Sequence, residues 1–93
     1  MNWFKIKVND GTEHGYNYVG SSADFIDVLV QKTRAGEYIR LDNLRYRDQR
    51  GKMLPWEEWD ASLVPTVYIN PSTIAAVVQF KGDPLNTPNQ AKG

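Results

Sequence analysis

The chain has 93 residues, 41% of them hydrophobic and 24% charged, and its eleven lysines and arginines are offset by eleven acids. A chain of this length supports one apolar core, and the composition is that of a folded domain, so a two-domain protein and a disordered one are both excluded. Neutrality removes net charge as a drive toward phosphate backbones or anionic membranes, and the lack of cysteine removes disulfides, thiolate metal sites and a cysteine nucleophile.

Residues 3–8 alternate, with Phe4, Ile6 and Val8 on one face and Lys5 and Lys7 on the other, which is the period of a half-buried strand. Asn9, Asp10, Gly11 and Thr12 follow as a turn, and Asp-Gly supplies the positive φ that returns a second strand through Tyr16, Tyr18 and Val19. Ser21 stands three residues before Asp24, the spacing of a capping box, and predicts a helix over about 22–35. Phe25, Ile26, Val28, Leu29 and Val30 supply its apolar side, Lys32 and Arg34 its last turn, and Gly36 its stop. The valines and isoleucine in 25–30 leave a strand there as the alternative.

Residues 37–48 read as strand again, with Ile39 and Leu41 on one face, Tyr38 and Arg40 on the other, and Asn43 marking a bulge before Leu44 and Tyr46. Asp48, Gln49, Arg50 and Gly51 form a turn. Pro55 then opens a short helical turn over about 55–59 that puts Trp56 and Trp59 on one side. A β-branched strand over 66–69, a tight turn at Asn70, Pro71, Ser72 and Thr73, and a last strand over 74–80 complete the domain.

The expected fold is α+β and mainly β: a five-stranded small barrel or strongly curved antiparallel sheet in the order β-β-α-β-β-β. Residues 1–81 form the single domain, and 82–93, with little apolar content and no period, form a flexible tail. The first residues lack a basic segment followed by an apolar run, and the longest apolar stretch, 74–78, is far shorter than the ~20 residues that span a bilayer. A cytoplasmic protein with no membrane segment is expected.

The run Val67, Tyr68, Ile69, Asn70, Pro71, Ser72, Thr73, Ile74, within residues 66–80, resembles the strand, one helical turn and strand that end SH3-like and Sm-like small β-barrels. The resemblance implies a small barrel. Sm-like barrels assembled in rings bind RNA, which implies that ligand class as one option.

No signature of catalysis emerges. His14, the single histidine, has Asp10 and Glu13 near it, but no second nitrogen or sulfur ligand completes a metal set, and turn solvation accounts for all three. Ser21, Ser22 and Ser62 lack an oriented base, Glu57, Glu58 and Asp60 read as a solvated turn, and the glycines at 11, 15, 20, 36 and 51 have turn spacing rather than that of a phosphate loop. No enzyme, metal or cofactor is expected.

Two sets of binding residues remain. Trp56 and Trp59 on one short turn either plug the core or form an exposed anchor for a protein partner or a second copy of the chain. All five arginines fall between positions 34 and 50, where with Lys52 they outnumber Glu37, Asp42 and Asp48. Arg40, Arg45, Tyr46, Arg47, Arg50 and Lys52 therefore form the candidate nucleic-acid set, with Tyr46 stacking bases; a solvated strand face is the plain alternative. A non-enzymatic interaction or self-assembling module ranks first and a barrel that binds RNA or single-stranded DNA second.

Overall fold

A computed structural model describes residues 1–86. Its elements are β1 (Asn2–Val8), β2 (Tyr16–Ser22), α1 (Ile26–Arg34), β3 (Ile39–Arg47), β4 (Met53–Pro55), α2 (Trp56–Trp59), β5 (Val67–Ile69) and β6 (Ile74–Gln79), with 3-10 turns at Pro71–Thr73 and Pro84–Asn86. The strands form one antiparallel sheet in the order β4-β3-β2-β1-β6, and β5 pairs with the first residues of β3. The expected α+β, mainly β class holds.

Six strands replace the expected five, because Met53–Pro55 forms a ladder with Arg45, Tyr46 and Arg47. A three-residue strand is too short to show an alternating period, so its pairing comes entirely from the partner. The two ends of the sheet are not joined, so the sheet is not closed into a barrel. Instead α1 packs against β6, the Pro71–Thr73 turn and β3, and Leu29 is buried beneath it. The helix thereby covers apolar surface that closure would otherwise have to bury.

The alternation in β1 places Phe4, Ile6 and Val8 in the core with Leu29, Ile39, Leu41, Leu44 and Ile69. Burial of each such side chain contributes about 1.5–3 kcal/mol. The β1–β2 connection runs through the expected Asp10 turn, in which the Thr12 amide and hydroxyl both donate to the Asp10 carboxylate. Gly15 closes it with φ +68°, at a point where a Cβ would lie 2.5 Å from the Val8 carbonyl oxygen.

The helix begins later than its capping signal. Ser21 and Ser22 belong to β2, and the residue before the first helical turn is Phe25, which has no capping side chain. Strand pairing has taken the Ser21 hydroxyl: it donates to the Asp42 carbonyl at 3.2 Å and accepts from the Asn43 amide at 2.9 Å. Ser22 caps locally instead, accepting from the Asp24 amide, and the Asp24 carboxylate pairs with Lys32 at 2.9 Å. Residues 26–30 are helical, and the strand alternative for 25–30 is not adopted. Gly36 ends the helix with φ +76° as expected.

The bulge in β3 falls where it was expected. Val19 pairs with Arg45 and Ser21 with Asp42, so β3 spends one more residue than β2 over this interval, and Asn43 takes it up with φ 52°. At Pro71–Thr73 the Asn70 side chain accepts from the Ser72 amide, as a turn-forming asparagine does.

β6 ends at Gln79, shortly before the tail expected over 82–93. The Phe80 amide donates to the Trp3 carbonyl, Asp83 pairs with Arg45 at 3.1 Å, and the Pro84–Asn86 turn packs near β4. The rest of the expected tail, 87–93, lies outside the described residues. Among the described residues no helix is long and apolar enough to cross a membrane.

Candidate functional site

β2 and β3 pair only as far as Val19 and Arg45, yet β2 extends back to Tyr16 and β3 continues to Arg47. The strands part there, and the space between them is a cleft of about 540 Å³. Tyr16, Asn17 and Val19 line it from β2, Arg45, Tyr46 and Arg47 from β3, Lys5 from β1, His14 and Gly15 from the connecting loop, and Met53, Trp56 and Trp59 from the β4–α2 segment.

The two tryptophans divide their roles. Pro55 enters in extended conformation, and the Asp60 amide bonds back to the Trp56 carbonyl to close one helical turn. A three-residue spacing on that turn brings the indoles edge to face with centroids 5.9 Å apart. Trp56 packs against the core, whereas Trp59 remains 61% exposed, with the Tyr46 ring 6.2 Å away. One tryptophan is therefore packed against the core and the other is exposed.

The arginine-rich set is split by the fold. Arg45, Tyr46 and Arg47 enter the cleft beside the tryptophans. Arg40 lies outside it, paired with Asp42 at 2.9 Å and set over the Tyr68 ring. Arg50 is on the 48–51 turn, where the Asp48 carboxylate accepts from the Arg50 and Lys52 amides, and Lys52 lines a separate groove with Phe80, Pro84 and Leu85. Lys5, His14 and Tyr16 complete the cleft; neither Lys5 nor Tyr16 stands out as a site residue in the sequence, and His14 does so only as a metal ligand. The alternation of β1 marks Lys5 as facing away from the core, but only the register Lys5 to Val19 to Arg45 brings it to this place.

None of the twelve lining residues is acidic. Arg45 is the least available of the cations: its guanidinium stacks on Trp3 at 4.6 Å, donates to the Asn43 carbonyl and pairs with Asp83. Its Nε is buried without a hydrogen-bond partner among the described residues. Asp83→Ala should therefore cost about 2–3 kcal/mol, because a guanidinium that is mostly withdrawn from water loses its carboxylate. Urea denaturation measures the loss, and an unchanged midpoint would show that the stacking on Trp3 alone is enough.

Lys5 and Arg47 are in no ion pair among the described residues. Burial, and secondarily Tyr18, raises the Tyr16 hydroxyl above its ordinary value, so it remains a neutral hydrogen-bond donor at the mouth of the cleft. Asp10 and Asp60 are held below the ordinary carboxylate value by the hydroxyls and amides of Thr12 and Ser62. That favours their ionised form, the opposite of what a general acid needs. Among the described residues no three His, Asp or Glu side chains are gathered so as to hold a metal ion.

The arrangement offers exposed aromatic surface, hydrogen-bond donors and two cations, Lys5 and Arg47, that have no carboxylate partner among the described residues, although Arg47 donates to the Gly51 carbonyl. No protein-family model, curated protein or solved structure matches the chain.

Proposed function

We propose that the protein is a non-enzymatic recognition module of the cytoplasm that docks a protein partner, or a second copy of itself, through the cleft between β2 and β3. The carrying observation is the exposed indole of Trp59, in edge-to-face contact with a half-buried Trp56 that packs against the core. A rigid, water-exposed aromatic on a braced turn has the form of a binding anchor, and Glu57 and Glu58 beside it supply polar rim. In this reading the fold is an open relative of the SH3-like and Sm-like small barrels, supported by the helical turn Pro71–Thr73 between its last two strands.

Trp59→Ala should lower the solution mass measured by light scattering toward that of one chain, or abolish partner capture, with the circular dichroism spectrum unchanged. A wild-type chain that is monomeric and retains no partner would remove the proposal. The second reading, a nucleic-acid-binding module, is supported by Arg45, Tyr46 and Arg47 lining the same cleft as the tryptophans.

A further inference from the structure

The cleft has a chemical bias that narrows its ligand. We infer that it takes one nucleotide unit, a heteroaromatic base joined to a phosphate, supplied either as a free nucleotide or as one residue of a single strand. The inference rests on the cleft being the recognition surface of the module.

Three features converge on that chemistry. First, the lining includes Lys5, His14, Arg45 and Arg47 and no carboxylate, although the whole chain is neutral. The charge is therefore sorted locally, and Lys5 and Arg47 are the two cations without a carboxylate partner among the described residues; one Arg47 nitrogen donates to the Gly51 carbonyl at 2.7 Å, and the rest of the guanidinium and the Lys5 ammonium can meet an incoming phosphate. Second, Trp59 and Tyr16 are 61% and 44% exposed at the same cleft, and exposed rings stack on bases of any identity. Third, about 540 Å³ is within the range of small-ligand sites, roughly 300–1,000 Å³.

The surroundings argue for one unit rather than a long track. Glu57 and Glu58 are exposed on α2, and Asp10 and Glu13 are exposed on the β1–β2 loop, so a polyanion running beyond the cleft meets carboxylates. Arg50 and Lys52 are placed elsewhere and Arg40 is paired, so the arginine-rich sequence does not become a continuous basic stripe. Affinity for a long strand grows with the number of phosphates neutralised, and this surface neutralises few.

The expected roles are stacking of the base on Trp59, with Tyr46 behind that indole, and contact of Arg47 and Lys5 with the phosphate. Titration of the full chain with AMP, UMP, inorganic phosphate and single-stranded deca-uridylate, followed by amide NMR shifts, tests this. Mononucleotide should move the resonances of Lys5, Tyr46, Arg47 and Trp59, and phosphate alone should bind at least about tenfold more weakly because it cannot stack. Trp59→Ala should weaken nucleotide binding by about 5- to 150-fold, the span that loss of one base-stacking aromatic corresponds to. Arg47→Ala should weaken it by about tenfold and flatten its salt dependence. Both side chains are exposed, so each variant should keep the native spectrum.

Deca-uridylate that binds no tighter per site than UMP assigns a free nucleotide as the source, and markedly tighter binding assigns a single strand. Absence of shifts with every nucleotide at millimolar concentration, or equal binding by Trp59→Ala, overturns the inference. If nucleotides fail while Trp59→Ala still disrupts self-association or partner capture, the recognition module stands and only its ligand chemistry falls. If both fail, the cleft is not the recognition surface.

Discussion

Gly20→Val should lower the melting temperature by up to about 12–24 °C. A Cβ at Gly20 would lie 2.8 Å from the Asp42 carbonyl oxygen, 2.9 Å from a Leu44 methyl and 3.1 Å from the Leu41 Cβ. The φ angle there is not in the left-handed region, so the demand is for space and not for backbone freedom. One of the obstructing atoms is backbone and the others belong to fully buried leucines, so no flexible side-chain end is free to give way. Overpacking of that kind costs up to about 3 kcal/mol, and 1 kcal/mol shifts the midpoint of a domain this size by about 4–8 °C. Gly20 sits between the two register points that flank the Asn43 bulge. Displacing β3 there also moves Arg45, Tyr46 and Arg47, so ligand binding should fall with stability. A midpoint within a few degrees of wild type in thermal denaturation would mean that β2 and β3 cross with slack.

Phe4→Ala should be costlier still. Phe4 is fully buried on β1, opposite Gly20 on β2 and Gln79 on β6, and belongs to the cluster that includes Leu29, Leu41 and Leu44. Truncating a buried phenylalanine costs about 3–5 kcal/mol. A 93-residue chain has a total of only about 5–14 kcal/mol. The variant should therefore be partly unfolded at moderate temperature, as read by a urea transition shifted sharply toward zero denaturant. Phe4→Leu, which keeps most of the volume, should lose about 1–1.5 kcal/mol. A loss below 1 kcal/mol for Phe4→Ala would place the core's centre elsewhere.

What was legible beforehand follows from where each signal is encoded. The alternation of Phe4, Ile6 and Val8, the Asp10 turn, the Gly36 helix stop, the bulge at Asn43 and the Pro71 turn are carried by residues close together in the chain, and each is found at its expected place. The start of α1 departs from its capping signal because Ser21 has two possible uses. Its hydroxyl could cap a helix three residues on, but a partner strand twenty-one residues away claims it. The same cause hid β4, whose pairing exists only because Arg45, Tyr46 and Arg47 lie alongside.

The candidate site divides along the same line. Trp56, Trp59, Arg45, Tyr46 and Arg47 can be picked out by residue type and His14 only as a metal candidate, while Lys5 and Tyr16 cannot, since their nearness depends on the β1–β2–β3 register. Local order in the chain was enough to establish one mainly β domain, the face of β1 that is buried and the turns that punctuate it, because φ preferences and side-chain alternation act between near neighbours. The open sheet, the parting of β2 from β3, and the gathering of aromatic and basic groups in that gap were decided by contacts between distant segments. Such contacts form only when burial of the shared core offsets the chain entropy of bringing those segments together.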